Sequence, residues 1–128
     1  MKNLKGFIEN YALLNNDGEI KVFDGGDSFW NQSPEEFEKI GINWLITEFE
    51  FTEDWATWEM HPNGEEIVYL LSGAIDLILD KDGEQQTIEL RGKGLVIIER
   101  GTWHTAKVSE PSKMLVITYG KDTEIKPV

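Results

Sequence analysis

The alternation of side chains after residue 43 constrains the fold of this chain more than any other feature. From that point apolar and polar residues alternate with a period of two, and β-branched and aromatic residues are frequent. Turn-forming residues interrupt the pattern about every 8–12 residues, which is typical of a β-sandwich or barrel. The sequence therefore predicts an all-β fold with strands at 44–51, 55–61, 67–72, 74–80, 85–90, 95–98, 104–109 and 113–119.

The first 43 residues predict one strand and one short helix. Residues 19–23 have the composition of a strand. A capping box of Ser33 and Glu36 marks the start of the helix, and Gly41 ends it about two turns later. At the other terminus, residues 120–128 form a polar tail that either packs along a neighbouring strand or frays.

Three potential metal ligands lie close together at the end of one predicted strand. Glu59 and His61 alternate, so a strand points both side chains the same way. Residues 62–64 are a turn signal, and a chain that folds back there places Glu66 opposite His61. His104 would supply the other half of the site. Imidazole nitrogens and carboxylate oxygens suit divalent Mn, Fe, Co, Ni or Zn, and two carboxylates with two neutral imidazoles balance one such ion.

The same residues also have an ordinary structural interpretation. A carboxylate on a strand is usually solvated, and an isolated histidine is more often a surface or core residue than a ligand. Without an ion, two carboxylates in one cavity would repel each other, and at least one pKa should rise. Glu65 adjoins Glu66 and is the alternative acidic ligand, although we expect Glu65 at the surface.

The composition excludes several classes of protein. The chain has 128 residues, which predicts one domain at 1–128, and it has no cysteine, which excludes disulfides and thiolate metal sites. A net charge of −12 argues against nucleic acid and anionic membranes as partners. No apolar run is long enough for a transmembrane helix, and the N-terminus lacks the apolar region of a signal peptide. We therefore expect a cytoplasmic protein.

At the potential ligands the chain resembles the cupin superfamily. The first cupin motif usually reads G-x5-H-x-H-x3,4-E-x6-G, and Glu59, His61, Glu66 and Gly73 follow its spacing. The second motif usually reads G-x5-P-x-G-x2-H-x3-N, and residues 101–104 match its central part. The amino-acid sequences of both motifs are similar to those of small single-domain cupins whose activity is largely unassigned.

Several motif positions depart from the cupin pattern. Glu59 stands where the first motif has its first histidine, and Glu53 replaces the opening glycine. In the second motif, Glu99 replaces the proline, Lys93 the opening glycine and Val108 the final asparagine. Glu59 can still bind a metal through oxygen, or it can leave the metal and act as a general base.

The resemblance implies a cupin jelly-roll β-barrel or sandwich with its ligands inside one end. The barrel core would span about residues 44–119, with N-terminal strands and the short helix in 1–43. The metal ligands would face the interior. Trp58 and Met60 would then face outward, in a second packing layer or in the interface of a homodimer, since cupins commonly pair through such surfaces.

Three functions are consistent with these residues. The first, implied by the resemblance, is a metal-dependent oxygenase or isomerase that acts on a small polar molecule. Its cofactor would be a divalent transition metal bound by Glu59, His61, Glu66 and His104. The second is a non-catalytic protein that binds a small molecule, and the third is a metal-free dimeric scaffold.

Overall fold

The computed structural model describes residues 1–41 and 43–128 and confirms the all-β class. No helix among these residues is both long and apolar enough to cross a bilayer. In chain order the elements of the described residues are β1 (Asn10–Leu14), β2 (Ile20–Asp24), α1 (Asp27–Trp30), α2 (Pro34–Ile40), β3 (Trp44–Phe51), β4 (Thr57–Met60), β5 (Glu66–Lys81), β6 (Glu84–Arg91), β7 (Gly94–Ile98), β8 (Trp103–Tyr119) and β9 (Glu124–Pro127).

Strands β5 and β8 organise the fold because each is long enough to pair with several neighbours. One path of hydrogen-bonded strands runs β2-β1-β3-β8-β4-β9, and β5 pairs with β6, β7 and β8. The first part of β5 (66–70) pairs with β7, and the second part (74–81) pairs with β6. These pairs are antiparallel, and the long strands pass from one layer of a sandwich to the other.

A bend at Gly73 lets β5 pass between the two layers. The ladder between β5 and β8 shifts its register between Leu70 and Ile75. Gly73 has a φ of +100°, and a Cβ there would lie 2.2 Å from Ser112 Oγ, so only glycine fits this close approach. The sequence predicted breaks at Gly73, between the strands at 67–72 and 74–80, and at 110–112, between the strands at 104–109 and 113–119. Both predictions are wrong, because the chain kinks within continuous strands instead of leaving the sheet.

Alternation along β5 and β8 places the core and the candidate ligands on the same inner face. On β5, Glu66 lies two residues before Val68 and therefore on the same face of the strand, and it is 3% exposed. On β8, His104 has the parity of Ala106, and the two are 0% and 1% exposed. The apolar core that these ligands adjoin consists of Val68, Leu70, Ile75, Leu77, Leu90, Val96, Ile98, Ala106, Met114 and Val116.

Helix α2 begins at the predicted capping box. Ser33 Oγ accepts a hydrogen bond from Glu36 N at 3.2 Å, and Ser33 N donates to Glu36 Oε1 at 3.3 Å. Gly41, with a φ of +91°, ends the helix as expected. The sequence predicted one short helix in this region, whereas the structure adds α1, a single turn that buries Phe29. Four residues are too few to show a helical period, which is why α1 was not predicted.

The C-terminal tail forms β9 and pairs along β4. Trp58 is opposite Lys126 and Glu59 is opposite Ile125 in this antiparallel ladder. The Lys126 ammonium lies 4.1 Å from the centroid of the Trp103 ring, which is a cation–π contact. Of the two expectations for the tail, packing along a strand is the one observed. The segment before β9 is thereby brought to the candidate ligands.

Candidate metal centre

Strands β4 and β8 bring Glu59 and His104 together. These residues form the register pair through which β4 joins β8. His61 follows β4 two residues after Glu59, and its carbonyl accepts a hydrogen bond from Gly101 N at 3.0 Å. One ligand atom from each of Glu59, His61 and His104 lies within 4.8 Å of the others. These three residues therefore form a group that could hold a metal ion.

The carboxylate of Glu66 lies between the two imidazoles. Its Oε2 is 2.8 Å from His61 Nε2, and its Oε1 is 3.2 Å from His104 Nε2. Thr118, opposite Glu66 in the ladder of β5 and β8, donates a hydrogen bond to Oε2 at 2.6 Å. Glu65, in contrast, is exposed. The structure thus places Glu66, and not Glu65, beside the histidines.

Hydrogen bonds at the two Nδ1 atoms fix the tautomer that each imidazole has when it is neutral. His104 Nδ1 lies 3.2 Å from the Thr102 carbonyl, which can only accept, so this nitrogen carries a proton. His61 Nδ1 lies 2.8 Å from Thr123 Oγ1, whose own proton is donated to the Gly120 carbonyl at 2.9 Å. The Thr123 hydroxyl therefore accepts from His61. It follows from this network that both neutral imidazoles direct an Nε2 lone pair toward Glu66.

The surroundings of the two Nε2 atoms fit a bound cation. Both atoms are buried, and each lies close to a Glu66 oxygen. A lone pair that faces a carboxylate is repelled by it unless a positive charge lies between them. Two ligands about 2.1 Å from one ion and at right angles are about 3 Å apart. The observed separations of 2.8 and 3.2 Å match that value, and they equally match ion pairs between Glu66 and protonated imidazoles. The donor types, and not these distances, are therefore what fits a divalent transition metal.

The same arrangement shifts three pKa values. Burial alone would raise the pKa of Glu66, but His104 and His61 outweigh burial and lower this pKa to about 2. Burial would lower the pKa of His104, whereas the contact with Glu66 reverses that effect and raises the pKa. Burial, together with the charge of Glu66, raises the pKa of Glu59. The metal-free site therefore favours a proton on His104 beside an ionised Glu66.

The site opens into a cavity of about 1360 Å³. Glu59, His61 and Glu66 line this cavity together with Trp55 and Thr123. Strand β3 and the helices α1 and α2 supply much of the remaining wall. The N-terminal elements thus extend the cavity well beyond the candidate ligands.

Three residues near the ligands were not identified from the sequence. Thr118 and Thr123 hydrogen-bond to Glu66 and His61 respectively. The ring of Trp55 meets the ring of His104 edge-on, with centroids 6.3 Å apart, and its Nε1 is buried without a hydrogen-bond partner among the described residues. No local motif marks these residues, because each contact joins segments that are far apart in the chain.

The cupin-domain family profile matches residues 46–118, which is more than half of the chain. The chain therefore belongs to the cupin family. The matched region agrees with the span of about 44–119 over which the sequence resembles cupins. No functionally curated protein matches the sequence significantly.

Solved structures share this fold at low sequence identity. Oxalate oxidase in complex with the substrate analogue glycolate is 18% identical, with a TM-score of 0.53 over 70% of this chain and 47% of that chain. Fe(II)-HppE with the alternative substrate (S)-1-HPP is 13% identical, with a TM-score of 0.51 over 59% of this chain and 42% of that chain. Drosophila melanogaster CENP-C bound to CAL1 is 13% identical, with a TM-score of 0.50 over 59% of this chain and 73% of that chain.

These likenesses describe the fold and not the activity. The match spans less than half the length of the oxalate oxidase and HppE chains. The same fold is found in oxalate oxidase and in Fe(II)-HppE, and it is also found in CENP-C, whose structure was determined with CAL1 bound. Function therefore has to be argued from the site itself.

Proposed function

We propose that this protein is a metal-dependent cupin enzyme, of the oxygenase or isomerase type, that acts on a small molecule in the cavity. Glu59, His61, Glu66 and His104 would together hold the divalent metal, which would be Mn, Fe, Co, Ni or Zn. The observation that carries the proposal is that the two buried Nε2 atoms converge on the Glu66 carboxylate while the Nδ1 protons are engaged elsewhere, so that both imidazoles can turn an Nε2 lone pair to one ion.

The charges and partners of these residues suit that role. Two carboxylates and two neutral imidazoles offset the two positive charges of the ion. The Thr102 carbonyl and the Thr123 hydroxyl keep the imidazole rings oriented, and Thr118 holds one oxygen of Glu66. When bound, the metal supplies a Lewis acid or an oxygen activator at the end of the cavity.

Glu59 differs from the other three ligands. It is only partly buried, and its pKa is raised, whereas Glu66 is almost fully buried and its pKa is lowered. A carboxyl group whose pKa is raised holds its proton more readily and can exchange it with a bound molecule. Glu59 thus either completes the metal site or serves as a general base toward the cavity.

Turnover by the metal-loaded protein tests this proposal. Full-length protein is loaded with each of the five metals in turn and incubated with a panel of small molecules, while oxygen uptake and product masses are followed. We expect turnover with at least one metal, and we expect its loss in His61→Ala and in His104→Ala. Turnover that survives both substitutions would contradict the proposed metal centre.

A non-catalytic binding protein is the second candidate, and the large cavity favours it. A protein of this kind would bind a small molecule tightly and yet convert none with any of the five metals. The expected homodimer is independent of this choice and stays a prediction, which sedimentation equilibrium of the purified chain would test.

A further inference from the structure

We infer that the cavity takes an aromatic molecule that is uncharged or cationic and that carries a hydroxyl or carbonyl oxygen. This inference rests on the proposed function, because it places the ligand oxygen at the metal-binding end and the ring along the cavity wall. The sequence led us to expect a small polar molecule. The inference narrows this expectation to a molecule with a polar group at one end and a largely apolar aromatic body.

The cavity wall contains a continuous row of aromatic rings. The ring centroids of Trp55 and Phe51 are 5.3 Å apart, those of Phe51 and Phe49 are 5.7 Å apart, and those of Phe49 and Trp30 are 6.0 Å apart. All four residues line the cavity. Trp30 is 45% exposed and the other three are partly buried, so ring surface remains free for a ligand. Such surface binds a second aromatic ring by stacking or edge contact.

The row begins at the candidate metal centre and ends at the N-terminal helices. Trp55 contacts His104 edge-on, with centroids 6.3 Å apart. At the other end, Trp30 packs against Phe29 at 4.9 Å, and Phe29 packs against Phe37 at 5.4 Å. A molecule that occupied this wall would therefore extend from the metal ligands toward α1 and α2.

The charge of the lining disfavours an anion. Among the described residues that line the cavity, Lys121 is the only lysine or arginine. The whole chain carries a net charge of −12, so its long-range field is negative as well. A ligand carboxylate would be repelled by the lining, whereas a cationic amine would be attracted. The acidic lining residues apart from the candidate ligands are Glu38, Glu50, Glu53, Asp54 and Asp122.

Two further features favour a ring that bears oxygen over a small acid. The indole Nε1 of Trp55 is a buried donor without an acceptor among the described residues, and a ligand oxygen would reach it only if the ring turned toward the cavity. The cavity volume of about 1360 Å³ exceeds the range of about 300–1,000 Å³ that is common for ligand sites. This space therefore admits a ring with its substituents and does not restrict the site to a small acid.

Three phenols with the same ring and different tail charge test the inference. They are tyramine, which is cationic, 4-ethylphenol, which is neutral, and 4-hydroxyphenylacetate, which is anionic. Each is titrated calorimetrically into full-length protein loaded with Zn, which has no redox chemistry, at low salt. We expect the first two to bind and the anion to bind at least about tenfold more weakly. Equal or tighter binding of the anion, or no binding of any phenol, would overturn the inference.

Substitution of Trp30 tests the role of the ring row. Trp30→Ala should weaken tyramine binding about fivefold, and Trp30→Phe should restore most of it because a ring remains. Trp44→Ala is the matched control, since Trp44 is also an exposed tryptophan but is not among the described residues that line the cavity. Unchanged affinity in Trp30→Ala, or an equal loss in Trp44→Ala, would contradict the proposed wall.

Charge reversal at the cavity tests the electrostatic part. Glu53→Lys should reduce the preference for tyramine over 4-hydroxyphenylacetate about threefold, because an acidic lining residue becomes basic. Glu84→Lys makes the same change at an exposed residue of β6 that is not among the described lining residues, and should leave the preference unchanged. The same shift in both variants would show that net charge, and not the cavity, determines the preference.

Chelated protein separates this inference from the proposed function. If elemental analysis finds no ion and the chain still prefers tyramine to the anion, the ligand class is supported while the metal-dependent enzyme fails. If the chain binds metal at Glu59, His61 and His104 but shows no preference among the phenols, the ligand class is refuted and the metal centre stands.

Discussion

The two ends of the cavity are built in different ways. At the metal-binding end, Glu66 and His104 are 3% and 0% exposed, and both imidazole Nδ1 atoms have a hydrogen-bond partner. At the aromatic end, rings contact one another and Trp30 remains 45% exposed. A metal requires fixed donor atoms, whereas a ring requires only a complementary surface. Substitutions at the metal-binding end should therefore change metal affinity. Substitutions at the aromatic end should change the affinity for the small molecule and leave metal affinity unchanged.

Removal of an imidazole should have the largest effect. His104→Ala and His61→Ala should each lower metal affinity at least about 100-fold, because a ligand is lost and not only a supporting contact. We expect the β-rich circular dichroism spectrum to persist in both variants. Elemental analysis and metal titration measure the effect. A variant that unfolds would instead identify its histidine as a core residue.

Glu59→Gln should have the second largest effect and lower metal affinity about 30-fold. The amide of glutamine keeps the shape of the glutamate side chain but lacks its negative charge. The matched control is Glu65→Gln, which changes an exposed neighbour of Glu66 and should alter affinity less than about twofold. Isothermal titration with one metal compares the two variants. Equal effects, or the reverse order, would refute the alignment of these residues with the first cupin motif.

Loss of the Thr123 hydroxyl should weaken metal binding about tenfold, because the His61 ring would lose the acceptor of its Nδ1 proton. Thr123→Val keeps the shape of the side chain, and Thr123→Ser should restore affinity. Thr87→Val makes the same change at an exposed residue of β6 and serves as the control. If Thr123→Val binds metal as tightly as the wild type, the orientation of His61 does not depend on this contact.

The pH dependence of stability should have opposite signs with and without metal. In the metal-free protein the raised pKa of His104 means that its proton stabilises the fold. This contribution is complete below the unfolded value of about 6.5 and is lost as the pH rises through the higher folded value. In the loaded protein the ion has to displace that proton, so metal affinity should rise by up to about tenfold per pH unit.

Thermal melts between about pH 6 and pH 9 check this prediction, because that window contains the histidine transition. The melting temperature of the metal-free chain should fall across the window, and that of the loaded chain should hold or rise. His104→Ala is the control and should flatten the metal-free curve. Parallel curves with and without metal would contradict the assigned role of His104.

Trp30→Ala should have the smallest effect on metal affinity. Metal affinity should stay within about twofold of the wild type, because the ring contacts other rings and not the ligands. The free energy of unfolding should fall by about 1 kcal/mol, since the side chain is half-exposed. Urea unfolding and metal titration measure the two quantities. A large loss of metal affinity would show that the two ends of the cavity are coupled.

The period of two predicted those parts of the structure that depend on local alternation. The bounds of β3, Trp44–Phe51, are those expected from the sequence. Alternation also placed Glu59 and His61 on one face, and the turn at 62–64 brought Glu66 to His61. From the sequence, each of the long strands β5 and β8 was predicted as two separate strands. The same residue types, such as glycine and proline, occur at a kink within a strand and at a turn that leaves the sheet, so the sequence does not distinguish the two.

The remaining features depend on pairings between distant parts of the chain. Thr123 reaches His61 only because β9 returns to β4, and the ring row joins Trp30 on α1 to Trp55 before β4. Neither contact has a local signature in the sequence. The single domain at 1–128, the homodimer and the cytoplasmic location stay predictions.

The most direct test of the metal centre is elemental analysis of protein purified without chelator or affinity metal, combined with thermal melts before and after chelation. We expect about one transition metal per chain and a lower melting temperature after chelation, because the ion binds only the folded site. A chain without metal, whose melting temperature does not respond to added Mn, Fe, Co, Ni or Zn, would contradict the assignment of Glu59, His61, Glu66 and His104 as ligands.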